Sequence, residues 1–140
     1  QNMNIVIDCN RVFAALLKNN TTRKIIKNKK FQFYAPEYIS LEIEKYQEEI
    51  IRKLNIKKEE FKILLGSIFE KIIILPLEDY QKELEDLLKE ETISDKNDFP
   101  YLALAMAIKA EGIWTHDPDF RKQNKVKIFT NIHLLNKINS

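Results

Sequence analysis

Acidic residues are the side chains of this 140-residue sequence whose positions suggest chemistry. Asp8 comes directly after the apolar run 4–7, and Asp117 and Asp119 come just after the apolar run 112–115. Short apolar runs without polar alternation are typical of parallel strands that are covered on both faces. In parallel sheets, ligands bind beyond the carboxyl ends of the strands, which is where these three aspartates are expected to lie.

Two further acidic residues are expected to reach the same edge. Asp98 stands just before a helix predicted to be apolar nearly all round, and Glu42 lies about two turns into a helix predicted to begin near Pro36. Carboxylates held close together repel one another, so a stable cluster implies raised pKa values or bound cations. Carboxylate oxygens favour Mg²⁺ or Mn²⁺ over zinc. One or two such ions can activate water and stabilise the leaving oxygen of a phosphodiester.

Each acidic residue also has a purely structural interpretation, and the sequence leaves it open. Asp8 and Asp98 stand at positions where side chains cap helices. Asp117 and Asp119 flank a proline and could form Asx-turns. Glu42 could belong to a solvated helix face. The case for a shared site rests on all five converging on one edge.

Strands and helices alternate along the chain. Strands are predicted at 4–7, 31–34, 71–75 and 112–115, with a fifth candidate at 126–129. Helices are predicted at 10–18, 21–27, 36–50, 57–69, 79–89, 99–110 and 131–138. This alternation predicts right-handed crossovers and a parallel sheet with helices on both faces. The predicted fold class is therefore α/β, a Rossmann-like, three-layer α/β/α single domain with a central parallel sheet of four to five strands.

Length and composition limit the alternatives. The chain suits one domain, predicted at 3–138, and its 44% of hydrophobic and 31% of charged residues are typical of a globular protein. Gln1 and Asn2 precede the first methionine and are interpreted as a remnant outside that domain. One cysteine excludes an internal disulfide framework and a cysteine-based zinc site. The net charge of +2 is too small to indicate nucleic-acid binding by itself.

The sequence also bears on localisation. Its longest nearly apolar run, 72–77, is far shorter than a membrane span. Its start lacks a basic leader followed by an apolar region. With the single cysteine, these features predict a cytoplasmic protein with no membrane partner.

Taken in order, the acidic segments resemble the motifs of PIN domains. Residues 8–16, Asp-Cys-Asn-Arg-Val-Phe-Ala-Ala-Leu, are similar to the opening of that family, where a strand ends in Asp-Thr-Asn before an apolar helix. Residues 36–43 resemble its second motif, 98–105 its third and 115–120 its fourth. No single motif is specific, but the ordered set has suitable spacing and covers nearly the whole chain.

This resemblance implies a metal-dependent endoribonuclease that leaves 5′-phosphate and 3′-hydroxyl ends. It implies four carboxylates that bind metal and carry catalysis: Asp8, Glu42, Asp98 and Asp117. Asp119 would be an auxiliary ligand, and Asn10 and Thr115 would orient the carboxylates around one or two Mg²⁺ or Mn²⁺. As a stand-alone PIN-like domain of this size, the chain is most similar in type to the VapC toxins of type II toxin–antitoxin pairs. This resemblance implies an RNA substrate, an antitoxin partner and a homodimer.

Some residues depart from the family pattern. Cys9 replaces the usual threonine and is predicted to be buried and not nucleophilic, because neighbouring carboxylates disfavour its thiolate. Arg11 replaces an apolar residue and is expected to point to solvent or to a substrate phosphate. His116 is interpreted as a surface turn residue, with RNA or metal contact as the alternative. His133 and Asp95 are given structural interpretations.

Positive side chains would have to hold RNA beside an acidic cleft. One group of candidates precedes the second strand: Lys27, Lys29 and Lys30. Another follows the acidic turn: Arg121, Lys122, Lys125 and Lys127. The predicted substrate contacts are Arg11, His116, Arg121 and Lys122. Three aromatic residues are interpreted as core rather than base-stacking side chains: Tyr38, Tyr101 and Trp114.

Other protein families also place an aspartate directly after a first parallel strand. A haloacid-dehalogenase-type phosphatase needs a second aspartate where the chain has Asn10, and a receiver domain needs one where the chain has residues 75–77, Leu-Pro-Leu. A non-catalytic PIN-fold module that binds RNA or protein is disfavoured because all four acidic positions are filled. A nuclease of the same fold that matures RNA or cuts DNA flaps is the alternative to a toxin.

Overall fold

The computed structural model describes residues 2–90 and 96–140. Gln1 and Asp95, which were interpreted from the sequence, lie outside the described residues. The strands are β1 (Met3–Ile7), β2 (Phe31–Pro36), β3 (Ile72–Leu75), β4 (Gly112–Trp114) and β5 (Ile128–Phe129). They form one five-stranded sheet in the order β3-β2-β1-β4-β5, and every neighbouring pair is parallel.

Helices connect the strands. They are α1 (Cys9–Leu16), α2 (Asn20–Lys27), α3 (Tyr38–Leu54), α4 (Lys58–Phe69), α5 (Gln81–Leu88), α6 (Phe99–Ala107) and α7 (Asn131–Ile138). Short 3₁₀ turns occupy Leu77–Asp79, Lys96–Asp98 and Pro118–Lys122. Thr130 caps α7 in a capping box whose other member is His133, which confirms the structural interpretation of that histidine. None of the described helices is long and apolar enough to cross a membrane.

The strand order fixes the side of the sheet on which each helix lies. The chain moves from β1 to β2 to β3 in one direction and then returns across β1 to β4. Right-handed crossovers therefore place α1 to α4 on one face and α5 and α6 on the other. Accordingly, α1 contacts α2, α3 and α4, whereas α6 contacts α5 and the strands β1, β2 and β4. The predicted three-layer α/β/α fold is confirmed.

The core lies on both faces of the central strand. Ile5, Val6 and Ile7 of β1 are all fully buried, as a strand covered on both faces requires. Helix α6 is also buried over most of its length, as its all-round apolar sequence predicted. Burial of each large aliphatic side chain contributes roughly 1.5–3 kcal/mol. The acidic edge therefore follows strand residues that are fully buried in the core.

Some element boundaries differ from the sequence prediction. Pro36 is the last residue of β2, paired with Leu75 of β3, so α3 begins at Tyr38 rather than at the proline. Helix α6 ends at Ala107, three residues before the predicted end at 110, because Lys109 adopts a left-handed conformation with φ of 52°. The fifth candidate strand is present but only two residues long.

The strand order reverses beside β1, where β4 joins the sheet on the side opposite to β2. Such a reversal leaves a crevice at the carboxyl ends of the two strands, because their following connections turn to opposite sides. Asp8 follows β1 and Thr115 follows β4, so both face this crevice.

Candidate metal centre

Asp8 is a buried carboxylate with both oxygens engaged. It caps α1 in extended conformation, and its Oδ1 accepts from the backbone N–H of Cys9 at 2.7 Å. Its Oδ2 accepts from the hydroxyl of Thr115, also at 2.7 Å. The Thr115 hydroxyl in turn accepts from the backbone N–H of Asp117 at 3.0 Å. One threonine therefore links the ends of β1 and β4 and orients Asp8.

The surroundings of Asp8 disfavour its charge. Its pKa is raised from 3.8 to about 7, mainly by burial and also by the negative charges of Glu42 and Asp117. The hydrogen bonds from Thr115 and Cys9 oppose this rise. Only 7% of the residue is exposed to solvent. A bound cation would reverse this effect, because an opposite charge favours the ionised carboxylate.

Three carboxylates converge in front of Asp8. Asp98, Asp117 and Asp119 each offer an oxygen, and these three atoms lie within 4.8 Å of one another. Asp98 is buried at the start of α6, while the other two are half-buried in the turn after β4. Asp117 Oδ1 also accepts from the backbone N–H of Asp119 at 2.9 Å. The Asx-turn and the cluster therefore coexist, because the turn occupies one oxygen of Asp117.

The donor set fits a hard divalent cation. All the converging atoms are carboxylate oxygens, the ligands that Mg²⁺ and Mn²⁺ prefer. Oxygens on opposite sides of a bound Mg²⁺ are roughly 4 Å apart, so the observed spacing needs only small side-chain adjustments. Asp8 and Glu42 lie outside that set of three and contribute negative charge beside it.

Glu42 is joined to α6 by Tyr101. The buried phenol of Tyr101 donates a hydrogen bond to Glu42 Oε1. Burial, followed by the neighbouring Cys9, Glu42 and Asp8, raises the pKa of Tyr101, so the phenol keeps its proton. Cys9 is also buried, and burial with Glu42 and Asp8 raises the pKa of its thiol, as the sequence predicted. Neither group is a nucleophile in this setting.

Asn10 and Arg11 extend the network away from the carboxylates. Asn10 Nδ2 donates to the Thr115 hydroxyl at 3.2 Å, and Asn10 Oδ1 accepts from Arg11 Nε at 3.0 Å. Arg11 Nη1 lies 3.5 Å from Asn131 Oδ1. Burial lowers the pKa of Arg11, which Asp8 partly offsets. Arg11 is thus half-buried and contacts Asn10 and Asn131. It does not point to solvent, which was one of the two expectations from the sequence.

His116 is exposed and supports the next helix. Its Nε2 accepts from the backbone N–H of Asn131, the first residue of α7, at 3.1 Å. Burial, followed by the positive charges of Arg11 and Arg121, lowers its pKa, whereas the side chain of Asn131 raises it. His116 is therefore an exposed residue of the turn, as the sequence predicted, and it also contacts the start of α7.

The predicted cations divide between two edges of the sheet. Arg121 and Lys122 lie on the surface after the acidic turn, and Lys122 Nζ pairs with Asp119 at 3.3 Å. Lys125 pairs with Glu90 at 3.1 Å. Residues 27–30 instead precede β2 and lie at the amino edge. Lys27, Lys29 and Lys30 therefore do not flank the acidic cleft, because the length of the strands separates the two edges. Whether they hold RNA at the amino edge stays a prediction.

Two side chains of the site, Tyr101 and Asn131, were not predicted from the sequence to belong to it. Tyr101 was interpreted as core, which its burial bears out, but its hydroxyl reaches Glu42. Asn131 accepts from Trp114 Nε1 at 2.8 Å, besides its contact with Arg11. Asn131 directly follows the turn after β5, so the rule that chemistry lies at the carboxyl ends of strands could have found it.

Comparison with known proteins agrees with this geometry. A family model described as "PIN domain" matches residues 6–135, a range that contains all five acidic residues of the site. Among solved structures, the chain is similar to VapBC2 from Rickettsia felis, whose structure holds a DNA fragment from the promoter. The TM-score is 0.65 at 17% identity, covering 91% of this chain and 98% of that chain, which shows a shared fold. No curated protein matches the sequence.

Proposed function

The chain belongs to the PIN-domain family, and from this premise we propose that it is a metal-dependent endoribonuclease, the toxin of a type II toxin–antitoxin pair. The observation that carries the proposal is the convergence of Asp98, Asp117 and Asp119 beside the buried Asp8. Without a cation, the ionised carboxylates of this cluster would repel one another, so their convergence favours a role in binding metal.

In this proposal, four carboxylates are catalytic: Asp8, Glu42, Asp98 and Asp117. With Asp119, they would hold one or two Mg²⁺ or Mn²⁺, which supply Lewis-acid chemistry for phosphodiester hydrolysis. Thr115 fixes one oxygen of Asp8 and Tyr101 holds Glu42, so the carboxylates need little reorganisation when the substrate arrives. Asn10 keeps the Thr115 hydroxyl in place.

RNA would reach this site across a surface with few available cations. Arg121 is exposed after the acidic turn and is the proposed contact to a substrate phosphate. Lys122 can contribute once a metal ion takes over Asp119, because the two side chains are now paired. Arg11 and His116 are proposed to act on the inner side of the cleft, where both adjoin Asn131.

The similarity to VapBC2 supports the toxin assignment over other nucleases, since that structure is a toxin–antitoxin complex by name. We propose the same kind of partner here, an antitoxin protein, together with a homodimer and a cytoplasmic location. A nuclease of this fold that matures RNA, or a non-catalytic RNA- or protein-binding module, is the alternative.

The proposal is tested by cleavage of labelled RNA with Mn²⁺, Mg²⁺ or EDTA. Asp98→Asn is expected to lower the rate at least roughly 100-fold, because it removes one charged ligand from the site. Asp86→Asn, a matched change on the exposed side of α5, should leave the rate unchanged. Equal rates for the wild-type protein and Asp98→Asn would overturn the proposal. RNA binding by the wild-type protein without cleavage in either metal would favour the non-catalytic module.

A further inference from the structure

A basic surface lies at the amino edge of the sheet, on the side away from the acidic cluster. Its side chains come from α2, from the turn before β2 and from the position before β3: Arg23, Lys27, Lys29 and Lys71. Because β1 has five residues, the two edges are about 17 Å apart. No role in the proposed hydrolysis accounts for this surface.

The surface contains a small pocket between α2 and α4. Its volume is about 130 Å³, and its polar lining consists of Arg23, Lys27, Ser67 and Lys71. Ile26, Leu64 and Ile68 form its apolar part. The guanidinium of Arg23 is fixed, because its Nε donates to the carbonyl oxygen of Ala15 at 2.7 Å. The pocket therefore has one immobilised cation and two flexible ones around a shared space.

The positive charge of this pocket is not matched by carboxylates. In the part of the chain that the structure describes, the ion pairs do not include Arg23, Lys27 or Lys71. No acidic residue lines the pocket. A wider groove of about 470 Å³ continues from Lys27 and Lys71 to Lys29, with Glu70 as the acidic residue among its lining.

Helix termini account for only part of this charge. Lys27 lies in the last turn of α2, where the helix dipole places about half a negative charge. Lys30, by contrast, is committed elsewhere, since its Nζ donates to the carbonyl oxygens of Lys137 and Ile138 at 3.0 Å. Helix α4 also ends beside this pocket, at Phe69, close to Lys71. The two helix ends together place about one negative charge against the three cations Arg23, Lys27 and Lys71, so positive charge remains in excess.

We propose that this pocket binds a backbone phosphate of RNA, as a second contact surface remote from the acidic cluster. The choice of RNA as the polyanion rests on the proposed function. A guanidinium with two ammonium groups suits phosphate oxygens. A volume equal to a few water molecules of about 30 Å³ each admits a phosphate group but no whole nucleoside. An RNA that extends from the cleft around the molecule would thereby gain the cations that the acidic edge lacks.

The test is binding of fluorescein-labelled oligouridylate to the full chain in EDTA, so that no cleavage is needed. The variant Lys27→Gln/Lys71→Gln removes two exposed cations of the pocket and leaves the core intact. The matched control Lys82→Gln/Lys89→Gln removes two exposed cations at α5, on the opposite face of the sheet. We expect the pocket variant to bind roughly tenfold more weakly, with its log K against log salt slope lowered by about 1.4. The control should bind as the wild-type protein does.

Three results would overturn the proposal. One is unchanged binding by the pocket variant, and another is an equal loss in the control, which would indicate diffuse attraction to any lysine. The third is tighter binding of duplex DNA or of phosphatidylserine vesicles than of RNA, with the same loss in the pocket variant, which would assign the surface to another polyanion. Because these measurements omit cleavage, a failure of the proposed ribonuclease activity would show separately in the Asp98→Asn assay.

Discussion

The carboxyl and amino edges of the same sheet differ both in charge and in how their side chains are held. At the carboxyl edge, Asp8 and Asp98 are buried, and Asp8 is tied down by hydrogen bonds to both oxygens. At the amino edge, Lys27, Lys29 and Lys71 are exposed. Buried like charges raise one another's free energy far more than exposed ones do. We therefore expect a bound cation to stabilise the acidic edge more than a bound anion stabilises the basic edge.

The α/β topology contributes to this division of charge. Helices α1 and α6 begin at the carboxyl edge with Asp8 and Asp98, where the positive ends of helix dipoles favour carboxylates. Helix α2 ends at the amino edge with Lys27, where the negative end favours cations. Helix dipoles in a fold of this class thus favour carboxylates at one edge of the sheet and cations at the other.

The largest expected effect comes from the buried charge of Asp8. Its pKa of about 7 in the folded protein exceeds the ordinary 3.8, so the folded state binds this proton more tightly than the unfolded state. The free energy of unfolding of metal-free protein should therefore fall as pH rises from about 4 to about 7, by roughly 4 kcal/mol, and not beyond. Asp8→Asn has no charge to bury and should lack this loss.

Urea unfolding in EDTA at a series of pH values measures the difference between the two proteins. Other carboxylates titrate in both, so only the difference between wild type and Asp8→Asn is informative. If the free energies of unfolding of the two proteins change in parallel between pH 4 and pH 8, the pKa of Asp8 is not raised in the folded state and the prediction is wrong.

A smaller effect is expected from Tyr101, which connects Glu42 to α6. Tyr101→Phe removes the hydroxyl that donates to the Glu42 carboxylate and keeps the buried ring. A hydrogen bond to a charged group contributes about 1.5–3 kcal/mol, so kcat for RNA cleavage should fall roughly tenfold or more. Tyr46→Phe, at a half-exposed tyrosine of α3, is the matched control and should leave kcat unchanged. An unaltered kcat in Tyr101→Phe would leave Glu42 positioned by other contacts.

The smallest effect is expected at the amino edge. Lys30 Nζ donates to the carbonyl oxygens of Lys137, Ile138 and Ser140, at the end of α7. Lys30→Met should lower the free energy of unfolding by about 1 kcal/mol, because it leaves these carbonyls to water. Lys29→Met, at the neighbouring exposed lysine, should change it by less than about 0.5 kcal/mol. Chemical denaturation of both variants checks this, and equal losses would contradict a specific role for Lys30.

The fold and the acidic residues were accessible from the sequence for a common reason. Parallel strands read as apolar runs, and the residues that follow such runs must lie at one edge. The family motifs place Asp8, Asp98 and Asp117 at those positions, and the structure has them there. The early end of α6 was not predictable, because Lys109 takes a left-handed conformation without the glycine that signals one.

The contacts of the site were less accessible. The hydrogen bond from Tyr101 to Glu42 joins residues 59 positions apart, and it depends on how α3 and α6 pack. The inward direction of Arg11 depends on Asn131, on another element altogether. Lys27, Lys29 and Lys30 are candidates for holding RNA only because they are basic. Their position before a strand already indicated the other edge.

The central claim is that the acidic edge binds a divalent cation, and thermal unfolding tests it most directly. The unfolding midpoint is measured for the wild-type protein and for Asp98→Asn in EDTA, Mg²⁺ and Mn²⁺. A cation that binds only the folded state, present at about 100 times its Kd, stabilises that state by about 2.7 kcal/mol. We expect Mn²⁺ to raise the midpoint of the wild-type protein by several degrees and to leave that of Asp98→Asn unchanged. No rise at millimolar Mn²⁺, or the same rise in both proteins, would contradict the claim.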